Sequence, residues 1–307
     1  MSQIDVLSVT KLSPLLEPQI RAVFHLHDRL HETDPVAFAN VAPTIRAIAA
    51  SGESKVPASL IAQLPALEII SVFGVGYDGV DVAAAKARNV MVTHTPNVLN
   101  DDVADLAIGL MLAAARQLPA ADRYVKDGQW PNGPMPLARK VSGARMGIVG
   151  MGRIGQAIAQ RALAFNMSVS YTARSAKANI PHTYFPTATA LAAECDYLVV
   201  ITPGGEGTRK LINAEVLKAL GTKGILVNVA RGSVVDETAL IEALQNGVIG
   251  GAGLDVFEAE PNVPEALRAL PHVVLAPHIG SATSQTRQAM ADLAFNNLKS
   301  HFDGHAV

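Results

Sequence analysis

Short apolar runs recur along the chain, with helix-compatible stretches between them. Residues 4–9, 67–72 and 90–93 read as short buried strands, while 18–31 and 58–63 carry helical spacing. Thr95-Pro96-Asn97 breaks the pattern before Asn100 or Asp101 caps a helix running to about residue 118. The apolar stretch of that helix, 106–115, lies between Asp105 and Arg116 and is far short of the roughly 20 residues that a bilayer span requires. It reads as a buried helix leading from one domain into the other. From Arg145 onward, apolar runs at 146–149, 168–171, 197–201, 225–229, 251–256 and 273–275 alternate with helical stretches. That alternation describes an α/β doubly wound parallel sheet. Residues 128–142, with Trp130, Pro131, Pro134 and Pro136, read as a long irregular crossing loop or arm.

The first candidate chemistry follows the run at 146–149. Gly150-Met151-Gly152-Arg153-Ile154-Gly155 sits between a strand and a helix, where backbone N–H groups and the positive helix end meet a pyrophosphate. This is a dinucleotide site. About 20 residues on, where an NAD site carries an Asp or Glu for the ribose 2′-hydroxyl, the chain has Thr172-Ala173-Arg174-Ser175. A cation there suits a 2′-phosphate, so NADP is favoured. Read alone, Arg174 is a solvated strand-end cation; the missing acid tips the reading toward phosphate.

Composition narrows the partners. The chain has 307 residues, 49% of them hydrophobic and 17% charged, with a net charge of −2, which gives room for two domains and no basic footprint for nucleic acid. Small molecules are the expected partners, with neither nucleic acid nor membrane. One cysteine, Cys195, excludes an internal disulfide, and the N-terminus has no basic region followed by an apolar one, so a cytoplasmic setting is expected. In the stretch 25–31, His27 and His31 fall one helical turn apart, as metal ligands can, but the central Glu of a zincin is missing; a solvated helix face is expected and no metal.

In an open α/β sheet, ligands sit beyond the carboxyl ends of the strands. Arg231 follows the run at 225–229, Asp255 and Glu260 follow Gly251-Ala252-Gly253-Leu254, and His278 follows Val273-Val274-Leu275-Ala276-Pro277. Singly, Arg231 is an ion-pair partner and Glu260 a turn residue; together with His278 they form a set suited to reducing a 2-keto acid. An arginine fork holds the carboxylate in two parallel bonds, and a histidine delivers a proton to the carbonyl oxygen as hydride arrives. A neighbouring carboxylate favours the imidazolium, which predicts a lower pH optimum for reduction than for oxidation.

With the glycine turn, Asn228-Val229-Ala230-Arg231-Gly232, Asp255-Val256-Phe257-Glu258-Ala259-Glu260-Pro261 and Pro277-His278-Ile279-Gly280 in this order, the chain resembles the D-2-hydroxyacid dehydrogenases. Phe73-Gly74-Val75-Gly76-Tyr77-Asp78 and Thr95-Pro96-Asn97-Val98-Leu99 bring it nearest to the glyoxylate and hydroxypyruvate reductases of that family. The resemblance implies a Rossmann dinucleotide-binding domain, 98–284, inserted in a flavodoxin-like substrate-binding domain, 1–97 and 285–307, and a homodimer, with the apolar surface of 101–118 either core or packed across the two-fold axis. It implies that Arg231 binds substrate, that Glu260 pairs with His278 as acid/base, and that the amides of Val75 and Gly76 cradle the substrate carboxylate. For the cofactor it implies Gly150, Gly152, Arg153, Ile154 and Gly155 at the pyrophosphate, Arg174 and Ser175 at the 2′-phosphate with Lys177 assisting, and Asp255 at the carboxamide. Thr202, Pro203, Val229, Ala230, His278 and Gly280 complete the implied cofactor set. The loop Thr202-Pro203-Gly204-Gly205-Glu206-Gly207-Thr208 departs from the family pattern in its three glycines. The expected activity is NADPH-preferring reduction of glyoxylate to glycolate and hydroxypyruvate to D-glycerate. Alternatives are an aromatic keto acid (hydroxyphenylpyruvate) reductase, a phosphoglycerate dehydrogenase, disfavoured because no arginine stands in 50–54 and no regulatory domain follows, and an NAD(P)-sensing, corepressor-like binding protein. Glu260 disfavours a formate dehydrogenase, since the resemblance to that group implies a Gln–His pair instead.

Overall fold

In the computed structural model of the protein, residues 3–306 are described. They divide into two compact units, Met1–Leu99 with Thr283–Val307, and Asn100–Ala282.

The first unit is built on five parallel strands: β1 (Asp5–Ser8), β2 (His25–Asp28), β3 (Ile45–Ser51), β4 (Ile69–Phe73) and β5 (Met91–Thr93), in the order β2-β1-β3-β4-β5. This is the flavodoxin-like order. The central strand β4, Ile-Ile-Ser-Val-Phe, is buried along its whole length, as a parallel strand covered on both faces must be. The C-terminal helix Ser284–Phe302 returns to this unit: the Ser71 hydroxyl donates to Ala294 O at 2.9 Å, and Arg287 lies over the Phe73 ring.

Two strands of this unit escape the hydrophobic pattern. The helix expected over 18–31 is instead Glu17–Val23, after which Phe24 is extended and β2 follows, so His27 and His31 do not share a helix face. β2, His-Leu-His-Asp, buries only Leu26, and it is a strand because it pairs in register with β1, Asp5 opposite His25. β3, Ile-Arg-Ala-Ile-Ala-Ala-Ser, is alanine-rich and gives no strand signal, yet it lies between β1 and β4 in the sheet.

The second unit carries seven parallel strands: β6 (Arg145–Val149), β7 (Ser168–Thr172), β8 (Thr183–Tyr184), β9 (Tyr197–Val200), β10 (Ile225–Asn228), β11 (Gly251–Leu254) and β12 (Val273–Leu275). Their order, β12-β11-β10-β9-β6-β7-β8, is a Rossmann sheet with one added strand. The six expected strands are present with ends shifted by at most two residues; β8, two residues long, was not expected and is the third strand of the Rossmann order, β12 being the added one. The helix Asn100–Ala115 packs on β10, β11 and the helix Arg153–Ala164, with Val103, Ala107, Leu110 and Met111 buried. Its apolar stretch is therefore core. Gln117, in left-handed backbone, ends it and turns the chain by 59° into the helix Leu118–Lys126. Among the described residues no single helix is long and apolar enough to cross a membrane.

Candidate active site

The glycine turn lies at the switch point between β6 and β9. Gly150 has φ +105°, and a Cβ on it would meet Ile201 O and Thr202 N at 2.8 Å, so only glycine fits where the two strand ends approach. A Cβ on Gly155 would reach within 2.1 Å of Gly150 O, so that glycine sets the helix Arg153–Ala164 tight against the turn. Gly152 differs: space is open where its Cβ would be, and as the residue preceding the helix it offers no capping side chain. The first turn of a 12-residue helix thus begins beside open space at Gly152, with no side chain capping its amides and with Arg153 exposed beside them. Uncapped amides at a helix N-terminus beside open space are what a pyrophosphate requires, so the residues present fit a dinucleotide.

β7 runs out into Ala173-Arg174-Ser175. Arg174, Ser175 and Lys177 are exposed, and among the described residues Arg174 takes part in no ion pair. The segment is shaped by tyrosines: Lys177 N donates to the Tyr171 hydroxyl at 2.8 Å, and the Tyr184 hydroxyl donates to Ala173 O. In the loop after β9, Thr202 is half-buried and Pro203 exposed, and the Thr208 hydroxyl closes the loop onto Pro203 O at 2.7 Å.

Beyond β10, β11 and β12 the sheet positions Arg231, Glu260 and His278. Asn228, buried at the end of β10, accepts from Ala230 N and donates to Arg231 O, folding Val229-Ala230-Arg231 into a fixed turn. A Cβ on Gly232 would lie 2.0 Å from the Phe257 carbonyl group, so glycine lets this turn close on the loop after β11. In that loop Glu260 uses both oxygens: Oε1 accepts from Phe257 N and Oε2 from His278 Nδ1, each at 2.8 Å. A carboxylate only accepts, so Nδ1 carries the proton of this bond, which fixes the ring's orientation.

His278 has φ +52°, a left-handed conformation costing a non-glycine residue about 1 kcal/mol. Asp255 holds it there. His278 N donates to Asp255 O, and the amides of Ile279 and Gly280 donate to Asp255 Oδ1 and Oδ2 at 2.7 and 2.8 Å. Burial pushes the Asp255 carboxyl above the usual carboxylate range, against the two amides and His278, which favour the charged form.

In the first unit, Gly74-Val75-Gly76 follow β4. Gly74 N donates to the hydroxyl of buried Thr95, Thr95 N to Gly74 O, and the His94 ring bonds Val75 O through Nδ1 at 3.0 Å while meeting Tyr77 edge-on. Asn228, Gly232, Thr95 and His94 are the supports that the sequence reading left without a role. The signal available was position: each lies at, or one or two residues beyond, a strand end or four residues past it.

An uncapped glycine turn at the switch point of a Rossmann sheet, with an arginine and a histidine–carboxylate pair beyond neighbouring strand ends, defines a nicotinamide-dependent oxidoreductase. The chain belongs to the D-isomer specific 2-hydroxyacid dehydrogenases: the NAD binding domain of that family matches residues 108–280. Glyoxylate/hydroxypyruvate reductase A of Arabidopsis thaliana is 46% identical over 310 residues, covering 100% of this chain and 98% of that protein. Hydroxyphenylpyruvate reductase of Plectranthus scutellarioides is 48% identical, covering 99% of this chain and 97% of its own length. The NADPH-dependent glyoxylate/hydroxypyruvate reductase of Sinorhizobium meliloti, solved in complex with NADP and malonate, superposes with a TM-score of 0.92 at 46% identity, covering 98% of this chain and 94% of that one.

Proposed function

We propose that the protein reduces small 2-keto acids, glyoxylate and hydroxypyruvate first, with NADPH preferred over NADH. The observation that carries the reading is the Glu260–His278 pair, its ring proton fixed on Nδ1 and its backbone clamped by Asp255. His278 Nε2, protonated, gives its proton to the carbonyl oxygen and takes one back in the oxidative direction. Glu260 holds the ring in one tautomer and balances the positive charge of the protonated imidazole. Arg231, presented by the Asn228 turn, anchors the substrate carboxylate in two parallel bonds, and the amides of Val75 and Gly76 are assigned to the same carboxylate. The bound nicotinamide supplies the hydride to the carbonyl carbon.

For the cofactor, the amides of Arg153 and Ile154 meet the pyrophosphate at the open face of Gly152, between Gly150 and Gly155. Arg174 and Ser175 take the 2′-phosphate, helped by Lys177. Thr202 and Pro203 line the adenosine side, and Val229, Ala230, Asp255 and Gly280 line the nicotinamide side. The exposed guanidinium of Arg174, in no ion pair among the described residues and in the place of a ribose-binding acid, favours NADPH. The protein is assigned to the cytoplasm as a homodimer, to which the exposed Leu118, Val125, Trp130 and Leu137 lend apolar surface.

The identity to a hydroxyphenylpyruvate reductase favours a second reading, reduction of aromatic 2-keto acids. One initial-rate panel separates them: NADH and NADPH, each against glyoxylate, hydroxypyruvate, pyruvate and phenylpyruvate. Higher kcat/KM for glyoxylate or hydroxypyruvate than for phenylpyruvate supports the first reading, and the reverse order replaces it with the second. Arg174→Ala is expected to raise the KM for NADPH by about 10-fold or more, the loss of one charge-assisted phosphate contact, and that for NADH less than about twofold. Equal kcat/KM for the two cofactors in the unaltered protein overturns the NADPH assignment.

A further inference from the structure

His25 and His27 lie two residues apart on β2, the edge strand of the first sheet, and project from the same face. The parallel register sets Asp5 of β1 opposite His25. His25 Nδ1 and His27 Nε2 each stand 2.8 Å from the same oxygen, Asp5 Oδ1, and the two rings are 4.4 Å apart between centroids. Two donors thus converge on one acceptor atom, and three potential ligand atoms lie within 4.8 Å of one another. Neither substrate nor cofactor has been assigned to any of these residues.

We propose that Asp5, His25 and His27 form a binding site for a divalent transition cation of the Zn²⁺ type, at the edge of the first sheet. Two imidazoles and one carboxylate are the donor set of borderline ions; Mg²⁺ and Ca²⁺ favour oxygen alone. The backbone supplies the preorganisation, because strand pairing fixes all three Cα positions before any ion arrives. Cation entry moves each facing ring proton to the ring's other nitrogen through solvent, so that two lone pairs and the carboxylate point inward. Ligand bonds of about 2.0–2.2 Å set tetrahedral donors roughly 3.4 Å apart, so the triad opens by about half an ångström. His25, with 61% of its side chain accessible, supplies that movement, while His27 at 10% and Asp5 at 21% are held. The exposed side leaves room for a water as fourth ligand. A bound ion would fasten the edge strand to β1 through three bonds instead of two hydrogen bonds.

The test is isothermal titration of the full chain with ZnCl₂ after chelation and gel filtration, in parallel with Asp5→Asn, His25→Ala and His27→Ala. One Zn²⁺ is expected with Kd in the range of about 1–100 μM, weakened at least about 10-fold by each substitution. Co²⁺ in place of Zn²⁺ should give visible absorption that the same variants lose, and far-ultraviolet circular dichroism without metal checks that each variant is folded. His25→Ala keeps the test decisive if the two more buried variants fail to fold, because that side chain faces solvent. Absence of binding by the unaltered chain up to about 1 mM Zn²⁺, or Zn²⁺ and Co²⁺ binding unchanged in His25→Ala, overturns the proposal.

Discussion

Beyond β4 in the five-stranded sheet, the Gly74-Val75-Gly76 turn is tied by a hydroxyl, main chain and a ring: the Thr95 hydroxyl and main chain hold Gly74, and the His94 ring bonds Val75 O. Beyond β11 and β12 in the seven-stranded sheet, the fasteners are carboxylates: Asp255 takes the amides of Ile279 and Gly280, and Glu260 takes Phe257 N and His278. The backbone being held explains the difference. The turn after β4 uses glycine at its strained position, Gly74 with φ +155°, whereas the loop after β12 forces a histidine into left-handed backbone. Charge-assisted bonds are about twice as strong as neutral ones, and the strained residue receives them. A position that carries an imidazole in place of glycine keeps the backbone strain, and an acid offsets it.

Removing Asp255 should have the largest effect. Asp255→Ala strips two amides of their charged acceptor, each such bond being worth about 1.5–3 kcal/mol, and relieves the unfavourable burial of the carboxylate. A net loss of about 2–4 kcal/mol in urea denaturation is expected, with kcat falling by about 10³-fold as His278 leaves its place. Asp255→Asn, which keeps one acceptor oxygen, should lose less of both. A variant as stable and as fast as the unaltered enzyme would mean that the loop needs no clamp.

Glu260→Gln comes next. Glutamine can still accept from Phe257 N, but it presents an amide donor to His278 Nδ1, so the ring proton moves to Nε2 in the neutral form and the imidazolium loses its counter-charge. A fall of about 10–100-fold in kcat for reduction is expected, with the pH optimum moved toward acid and KM for NADPH within about twofold. An unshifted pH profile with full kcat would reduce Glu260 to a loop support.

How much of this contrast the sequence carried follows from the same physics. β9, β10 and β11, buried along their whole length, and the less buried β6, β7 and β12 all read as apolar runs, so these six were visible, and with them the positions of Arg231, Glu260 and His278 beyond their ends. β2 and β3 were not visible, because one buried leucine among polar residues and an alanine-rich segment carry no strand period; long-range pairing makes them strands. The fasteners were hidden for a related reason. Thr95 meets Gly74 across 21 residues and Ile279 meets Asp255 across 24, contacts written in the sheet order and absent from any local pattern. Asn228 and Gly232 stood inside a legible motif, but their work, folding the Arg231 turn and letting it close on Phe257, appears only once β10 and β11 are side by side.

On the neutral side of the comparison, Thr95→Val keeps the shape of a fully buried side chain and removes the acceptor for Gly74 N. A loss of about 1 kcal/mol is expected, the ordinary worth of one neutral hydrogen bond. If the turn serves the keto acid, KM should rise about two- to fivefold with kcat nearly unchanged. A loss as large as that of Asp255→Ala would show that hydroxyl and carboxylate fasteners are equivalent here.

The first unit does contain a carboxylate clamp, and it should matter least. Glu68, at the foot of β4, pairs with Arg46 and with His301 Nε2, at 3.2 Å, tying the last turn of the helix Ser284–Phe302 to the sheet. The Arg46 bond, with help from His301, holds the Glu68 carboxyl below the usual range against its partial burial. Its contribution is therefore present above the unfolded-state value and is lost as pH falls through the depressed folded-state one. Glu68 and Arg46 are 39% and 42% accessible, so water screens the pair and Glu68→Gln should cost less than about 1 kcal/mol at pH 7. Urea midpoints of the two proteins should differ at neutral pH and converge on acidification, whereas those for Asp255→Ala should stay apart while the fold survives. A Glu68→Gln deficit that persisted unchanged in acid would trace to lost packing around Arg46 and Phe302, which lie 4.8 Å apart, and not to the charge.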